Sequence, residues 1–173
     1  RIDFDTFINW NEQEKLLKVG FDVDVKAQKF TRDIAYATIE SSNYRHNPYD
    51  KAKFEVSAHN FIDMSEDSYG VSILNDCKYG YEVDKQRMII TLLKAPMNPD
   101  PKSDRGDHYF TYSIYPHAGN WKNAETLVRG LEMNNPAVAV EINSDATGED
   151  AKSFIKVDGK NVTLEAVKKC EDE

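Results

Sequence analysis

The opening of the chain alternates with a period of two residues, and that pattern limits what it can build. Ile2, Phe4, Thr6, Ile8 and Trp10 share one face of an extended segment, while Asp3, Asp5, Phe7 and Asn9 share the other. Successive side chains of a strand point to opposite sides of a sheet, so this segment reads as a half-buried strand. After the polar break from Asn11 to Glu14, Leu17, Val19, Phe21, Val23 and Val25 alternate with Lys18, Gly20, Asp22 and Asp24. The pair predicts a long antiparallel hairpin closed by the short polar link.

Strand patterns recur at residues 34–39, 53–61, 70–74, 87–93, 108–115 and 137–142, and near the end at 153–157 and 162–167. Two stretches read as loops. Residues 41–50 are rich in turn formers, and residues 95–106 hold three of the chain's six prolines, which rules out a central strand there. Helical spacing occurs only in residues 121–131, where Trp121, Ala124, Leu127, Val128 and Leu131 recur every three or four positions behind Asn120 as N-cap. Many strands and one short helix predict a mainly-β fold, an antiparallel β-sandwich. The polar run 143–150 then divides the chain. The sandwich would occupy 1–142, and 143–173 would form a linker and the start of a small C-terminal β segment.

Composition narrows the partners. Hydrophobic residues at 40% and aromatics at 11% suffice for a folded core. The net charge of −8 is spread along the chain, which argues against nucleic acid or an anionic membrane surface, since both need clustered Lys and Arg. No apolar run is long enough to span a bilayer. The two cysteines, Cys77 and Cys170, stand far apart with no metal-spaced neighbour and read as reduced thiols of a cytoplasmic protein. Asn161-Val162-Thr163 matches a glycosylation sequon, a triplet that arises readily by chance. Arg1 already lies inside a strand pattern, which leads to the expectation of a piece of a longer protein.

Few residues are arranged for chemistry. His46, His59, His108 and His117 show no metal-ligand spacing. Cys77 adjoins Lys78, a neighbour expected to lower its thiol pKa, but no base is marked. Asp3/Asp5 and Asp22/Asp24 lie opposite apolar stripes, where solvent-facing carboxylates belong. Two loops stand out. Asn75-Asp76-Cys77-Lys78-Tyr79-Gly80-Tyr81 gathers an amide, an acid, an amine and two phenols into a turn. Convergent polar groups with aromatic faces suit a hydroxylated ligand such as a sugar; a hairpin turn whose polar groups meet water explains the same residues. In Ser103-Asp104-Arg105-Gly106-Asp107-His108, the guanidinium beside two acids would orient a ligand, close a domain interface or form an exposed ion pair. His117-Ala118-Gly119-Asn120-Trp121 reads as a strand-to-helix turn ending in a cap and a buried Trp.

In chain order, several runs together resemble the C-terminal region of the family-38 glycoside hydrolases, the α-mannosidases. They are Arg1-Ile2-Asp3-Phe4, Glu14-Lys15-Leu16-Leu17-Lys18-Val19, Lys53-Phe54-Glu55-Val56-Ser57-Ala58-His59, Tyr69-Gly70-Val71-Ser72-Ile73-Leu74-Asn75-Asp76-Cys77-Lys78-Tyr79-Gly80, Asn98-Pro99-Asp100-Pro101 with Asp104-Arg105-Gly106, and Tyr115-Pro116-His117-Ala118-Gly119-Asn120-Trp121. The resemblance implies a modular enzyme that hydrolyses terminal α-mannosides with retention. A zinc-bearing N-terminal barrel would be followed by β-sandwich domains of the supersandwich, galactose mutarotase-like type. No barrel motif occurs in this chain, so no catalytic or metal residue is carried over, and zinc is expected in the barrel alone.

The same resemblance implies that Asn75, Asp76, Lys78 and Tyr79, together with Asp104, Arg105 and Gly106, lie on loops reaching the rim of the sugar pocket. The expected role is a non-catalytic β-domain whose partners are its own barrel and mannose-containing glycans, with homo-oligomerisation left open. Two rival readings remain. One is a stand-alone carbohydrate-binding module using Tyr44, Tyr49, Tyr79 and Tyr81; the other is a purely structural interaction domain.

Overall fold

Period-two stripes need a second layer to cover them, and the chain supplies that layer from its own strands. The computed structural model describes residues 1–142, 151–159 and 162–171. Its elements are β1 (Ile2–Trp10), β2 (Leu16–Asp22), β3 (Lys29–Ile34), β4 (Ala37–Ser42), α1 (Pro48–Ala52), β5 (Val56–Ser57), β6 (Phe61–Ser65), β7 (Tyr69–Asn75), β8 (Gly80–Asp84), β9 (Arg87–Lys94), β10 (Gly106–Ala118) and α2 (Thr126–Asn134). They form an antiparallel β-sandwich. One sheet runs β1-β10-β7-β6-β3-β4 and the other β2-β9-β8-β5.

β1 follows its alternation, with Phe4, Thr6 and Ile8 turned inward and Asp3, Asp5 and Phe7 outward. Its partner, however, is β10, and β2 pairs with β9 in the opposite sheet. The expected hairpin is therefore not formed. A hairpin would set the two apolar stripes side by side in one layer, whereas crossing to the other layer lets each stripe cover its counterpart. Phe4 accordingly stacks on Tyr112 at 5.0 Å and meets Phe21 from the smaller sheet at 6.0 Å. Around them Phe30, Ile62, Met64, Val71, Ile73 and Phe110 face Tyr81, Val83, Met88, Ile90 and Leu92. Each large apolar side chain buried this way contributes about 1.5–3 kcal/mol.

Other differences have local causes. Residues 34–39 straddle the β3–β4 turn, where Tyr36 takes a φ of 57°. Residues 53–61 divide between the two-residue β5 and the start of β6, and β8 occupies part of what reads as turn. The loop 41–50 contains the start of α1, where Asn47 Oδ1 accepts the Asp50 N–H at 2.9 Å and Pro48 fills the first helical position. Asn120 caps a turn, accepting the N–H groups of Lys122 and Asn123 at 3.0 and 3.1 Å, but the helix proper begins only at Thr126. The chain divides into two units, Arg1–Ala137 and Val138–Glu173. The described residues of 137–142, 153–157 and 162–167 form no strand. Alternation supplies a face but not a ladder partner, and cross-strand pairs are what stabilise a sheet. The expected linker, 143–150, lies outside the described residues.

The outer face of the smaller sheet carries an ion-pair cluster. Lys18 and Arg45 reach Glu82 at 3.2 and 2.5 Å, and the Thr91 hydroxyl donates to Glu55. Partial burial works against ionisation of Glu82, but the hydrogen bonds from Arg45 and Lys18 hold its carboxyl below the usual carboxylate range.

On the outer face of the larger sheet lies α2 with the turn before it. Trp121 meets Phe61 at 5.7 Å, the Tyr115 hydroxyl donates to the Ala124 carbonyl at 3.1 Å, and Asn134 Nδ2 donates to the Asn75 carbonyl at 3.0 Å. Beneath this cover Asp63 is 1% exposed. Its carboxylate accepts from the Ser65 hydroxyl, from the Ser72 hydroxyl at 2.7 Å and from His117 Nε2 at 2.7 Å. Ser72 in turn lies 3.2 Å from the Thr126 hydroxyl of α2.

Gly70 sits opposite His117 in the β7–β10 ladder, and a Cβ there would run into the His117 ring and the Ser65 hydroxyl. Gly70→Ala is expected to destabilise the fold by about 1–3 kcal/mol, the range for overpacking a filled site. Urea unfolding checks this; unchanged stability would mean that the ring has room to move.

Candidate functional site

The turn joining β7 to β8 is built around Asn75, which is 2% exposed. Its Nδ2 donates to the His59 carbonyl at 2.8 Å and to the Tyr81 hydroxyl, and its Oδ1 accepts the Lys78 backbone N–H. A buried side-chain amide with all of these partners fixes the path of the turn. Tyr81 is fully buried behind it, and that burial pushes its phenol pKa up against the opposing hydrogen bond from Asn75. Tyr81 therefore offers no face to a ligand, which removes it from the set of aromatics suited to a stand-alone binding module. Of the others, Tyr49 and Tyr79 are exposed and Tyr44 stacks on His46 at 5.5 Å.

Asp76 is tied to the middle of β10: its Oδ2 accepts the Thr111 N–H at 2.8 Å and its own N–H donates to the Thr111 carbonyl at 3.2 Å. The Lys78 ammonium lies over the Phe110 ring, 4.1 Å from its centre. Tyr79 projects outward and meets the His59 ring edge-on at 5.7 Å. Asp76 and Tyr79, but not Lys78, border a cavity of about 290 Å³, with His59, Asn60, Cys77 and Asn134 completing its wall around Asn75. It combines amide, carboxylate and aromatic groups in one open concavity, a mixture suited to a hydroxylated ligand. His59 and Asn134 join it unannounced. They lie 16 and 59 positions from Asn75, and no spacing rule links them.

Asp104, Arg105 and Gly106 do not border this cavity. Gly106 pairs with Trp10 at the start of β10. Thr111 lies roughly 17 Å further along the strand at ~3.4 Å per residue. Asp104 adopts a left-handed φ of 59° and Gly106 a φ of 125°, so the loop turns sharply into the strand. His108 Nε2–H donates to the Asp104 carbonyl at 2.8 Å. Among the described residues Arg105 forms no ion pair with Asp104 or Asp107; Asp107 instead accepts from Asn9 at 2.6 Å. The turn and the loop are thus two separate features along β10.

The four histidines also stay apart: His46 stacks on Tyr44, His59 meets Tyr79, His108 holds Asp104 and His117 holds Asp63. Among the described residues no three His, Cys, Asp or Glu side chains gather in a group that could hold a metal ion.

Cys77 is exposed at the surface, yet its chemistry runs opposite to the expectation drawn from Lys78. Partial shielding of the thiol, a hydrogen bond to the Asp76 carboxylate and the negative charge of that carboxylate push its pKa up to about 11, against the pull of Lys78. A thiol held protonated is a poor nucleophile.

Fold and turn together define a class: an antiparallel β-sandwich domain with a helix across one outer face and a polar–aromatic turn at the end of a central strand. The model of the glycosyl hydrolases family 38 C-terminal domain matches residues 1–102. The chain is 38% identical to "Alpha-mannosidase G" of Dictyostelium discoideum, over 99% of its own length and 16% of that protein. It is 35% identical to "Alpha-mannosidase 2C1" of Homo sapiens, over 98% of this chain and 16% of that one. Its fold resembles the crystal structure of an α-mannosidase from Enterococcus faecalis V583, with a TM-score of 0.69 at 18% identity over 78% of this chain and 16% of that chain. The chain belongs to the C-terminal domain family of the family 38 glycosyl hydrolases. It spans about one-sixth of the length of the curated relatives it matches.

The shielded thiol predicts a pH profile. With Cys170→Ser removing the second thiol, alkylation of Cys77 by iodoacetamide should climb about tenfold per pH unit from pH ~7 to ~9.5 without levelling. Levelling near pH ~8.5, the ordinary thiol value, would contradict the shielding.

Proposed function

We propose that this chain is the C-terminal, non-catalytic β-domain of a longer zinc-dependent retaining α-mannosidase. There it scaffolds a catalytic barrel and lends loops to the rim of the sugar site. The observation that carries this reading is the alignment of 99% of the chain with 16% of a protein named "Alpha-mannosidase G". Hydrolysis of terminal α-mannosides, the zinc ion and the two carboxylates of a retaining mechanism would then reside in the remainder of that protein. Its working partners would be its own barrel and mannose-containing glycans, in a cytoplasmic enzyme that is free to form homo-oligomers.

Within this reading the loop residues take different parts. Asn75 acts as a positioning residue, because its side chain is used up inside the turn. Tyr79 and His59 offer an exposed aromatic pair on which the C–H face of a sugar ring can rest. Asp76 shares its carboxylate between the Thr111 N–H and the Cys77 thiol at the edge of the cavity, and Arg105, half-buried, stands outside the ion pairs of the described residues. Lys78, Asp104 and Gly106 shape the two loops around these groups.

The test uses the full-length parent. Asp76→Ala and Arg105→Ala should each lower kcat/KM about five- to two-hundred-fold, the equivalent of about 1–3 kcal/mol for a hydrogen bond to a charged group, with zinc content unchanged. The 173-residue chain alone should not turn over an aryl α-mannoside even with added zinc. Wild-type kcat/KM in both mutants, with only a lowered melting temperature, would favour a purely structural domain. Loss of zinc from either mutant would put that residue in the metal cage instead.

A further inference from the structure

A groove of about 490 Å³ opens on the outer face of the larger sheet, between the β3–β4 hairpin and the turn leading into α2. Asp63 and Thr31, cross-strand partners on β6 and β3, form its floor. A carboxylate offers about four lone-pair positions. Ser65, Ser72 and His117 occupy three of those on Asp63, which is 1% exposed, so the floor is a carboxylate already supplied with donors. Thr31 is 9% exposed, and its hydroxyl takes part in no hydrogen bond among the described residues. Gln28 stands at the rim with its side-chain amide equally free among those residues.

The Trp121 indole forms one wall, with Phe61 against it at 5.7 Å. One cation of the groove is unpaired among the described residues: Lys122, whose ammonium lies 5.4 Å from the centre of the Trp121 ring. Lys29 and Glu40 pair with each other at 2.9 Å across the rim, and Asp63 is surrounded by its own donors. An aromatic wall, a spare hydroxyl and a spare amide in a concavity of ligand size match the needs of one chemistry. A sugar presents apolar C–H patches for the ring and hydroxyls that both donate and accept.

We propose that this groove binds a neutral sugar ring, with Trp121 as its platform and Thr31 and Gln28 as its hydroxyl partners. The site shares no residue with the cavity at the Asn75 turn, and the proposal does not rest on the reading of that turn.

The chain has two tryptophans, so a ¹⁵N-labelled sample shows two indole N–H signals. Trp10 Nε1 is buried in the core without a partner and serves as an internal reference. Methyl α-mannoside and methyl β-glucoside are titrated in turn, with sodium phosphate as the anionic control. The expected result is a saturable shift of the Trp121 signal with at least one sugar, at a roughly millimolar Kd, while Trp10 and the phosphate titration stay silent. Thr31→Val and Gln28→Ala, both compatible with the strand and its rim, should each weaken binding about three- to tenfold, as expected for one lost hydrogen bond. The proposal is overturned if neither sugar moves Trp121, if Trp10 moves equally, if phosphate produces the shift, or if both variants bind as tightly as the parent chain.

Discussion

A carboxylate almost sealed from water organises the larger sheet. Asp63 lies on the outward side of β6, a position that solvent would normally serve, but α2 and its leading turn cover it. A buried carboxylate without donors would cost several kcal/mol. The structure therefore brings hydroxyls from β6 and β7 and an imidazole from β10 to meet it. Those three strands are adjacent in the sheet, so one side chain checks the register of all of them at once. The requirement extends to Gly70, where only a missing side chain leaves room for the His117 ring, and to Thr126, through which the network touches the helix.

The sandwich core and this network act on opposite faces of the same strands. Ile62 and Met64 point into the apolar core while Asp63 between them points to the helix side. Hydrophobic burial supplies most of the stabilisation but is indifferent to which strand lies where. Hydrogen bonds to a buried charge are demanding about geometry, so they select among arrangements that the core alone would tolerate. Asn43 does comparable work at the other end of the chain's hairpins, donating to the carbonyls of Ala27 and Lys85 at 2.8 Å each. Between these polar anchors the turn around Asn75 keeps its shape, which is a precondition for any ligand contact made by Tyr79 or Asp76.

The faces of the strands were legible in the sequence because period two is a local property. Phe4, Ile8 and Val19 fall inward as their spacing demands. Strand partners were not legible, since β1 finds β10 more than a hundred residues away and β2 crosses to the other layer. α1 had a usable signal in Asn47-Pro48 that a reading based on turn formers passes over. An acid inside the apolar run from Phe61 to Met64 was likewise a sign of a buried carboxylate, although nothing local points to Ser72 or His117 as its partners. For the candidate site, the run from Asn75 to Tyr81 was visible as a polar–aromatic turn. The burial of Asn75 and Tyr81, the arrival of His59 and the raised Cys77 pKa all come from tertiary packing.

The central claim, that Asp63 fastens the helix to the sheet as well as aligning β6, β7 and β10, is tested most directly by native-state hydrogen exchange of Asp63→Asn. The substitution keeps the size of the side chain and replaces one acceptor oxygen with a donor. The account predicts that backbone amides of α2, from Arg129 to Asn134, and of β7 beside Ser72 lose protection by an order of magnitude or more. The amides of β2 and β9 in the other sheet should change far less. Equal loss of protection in both sheets, or none in α2, would contradict it.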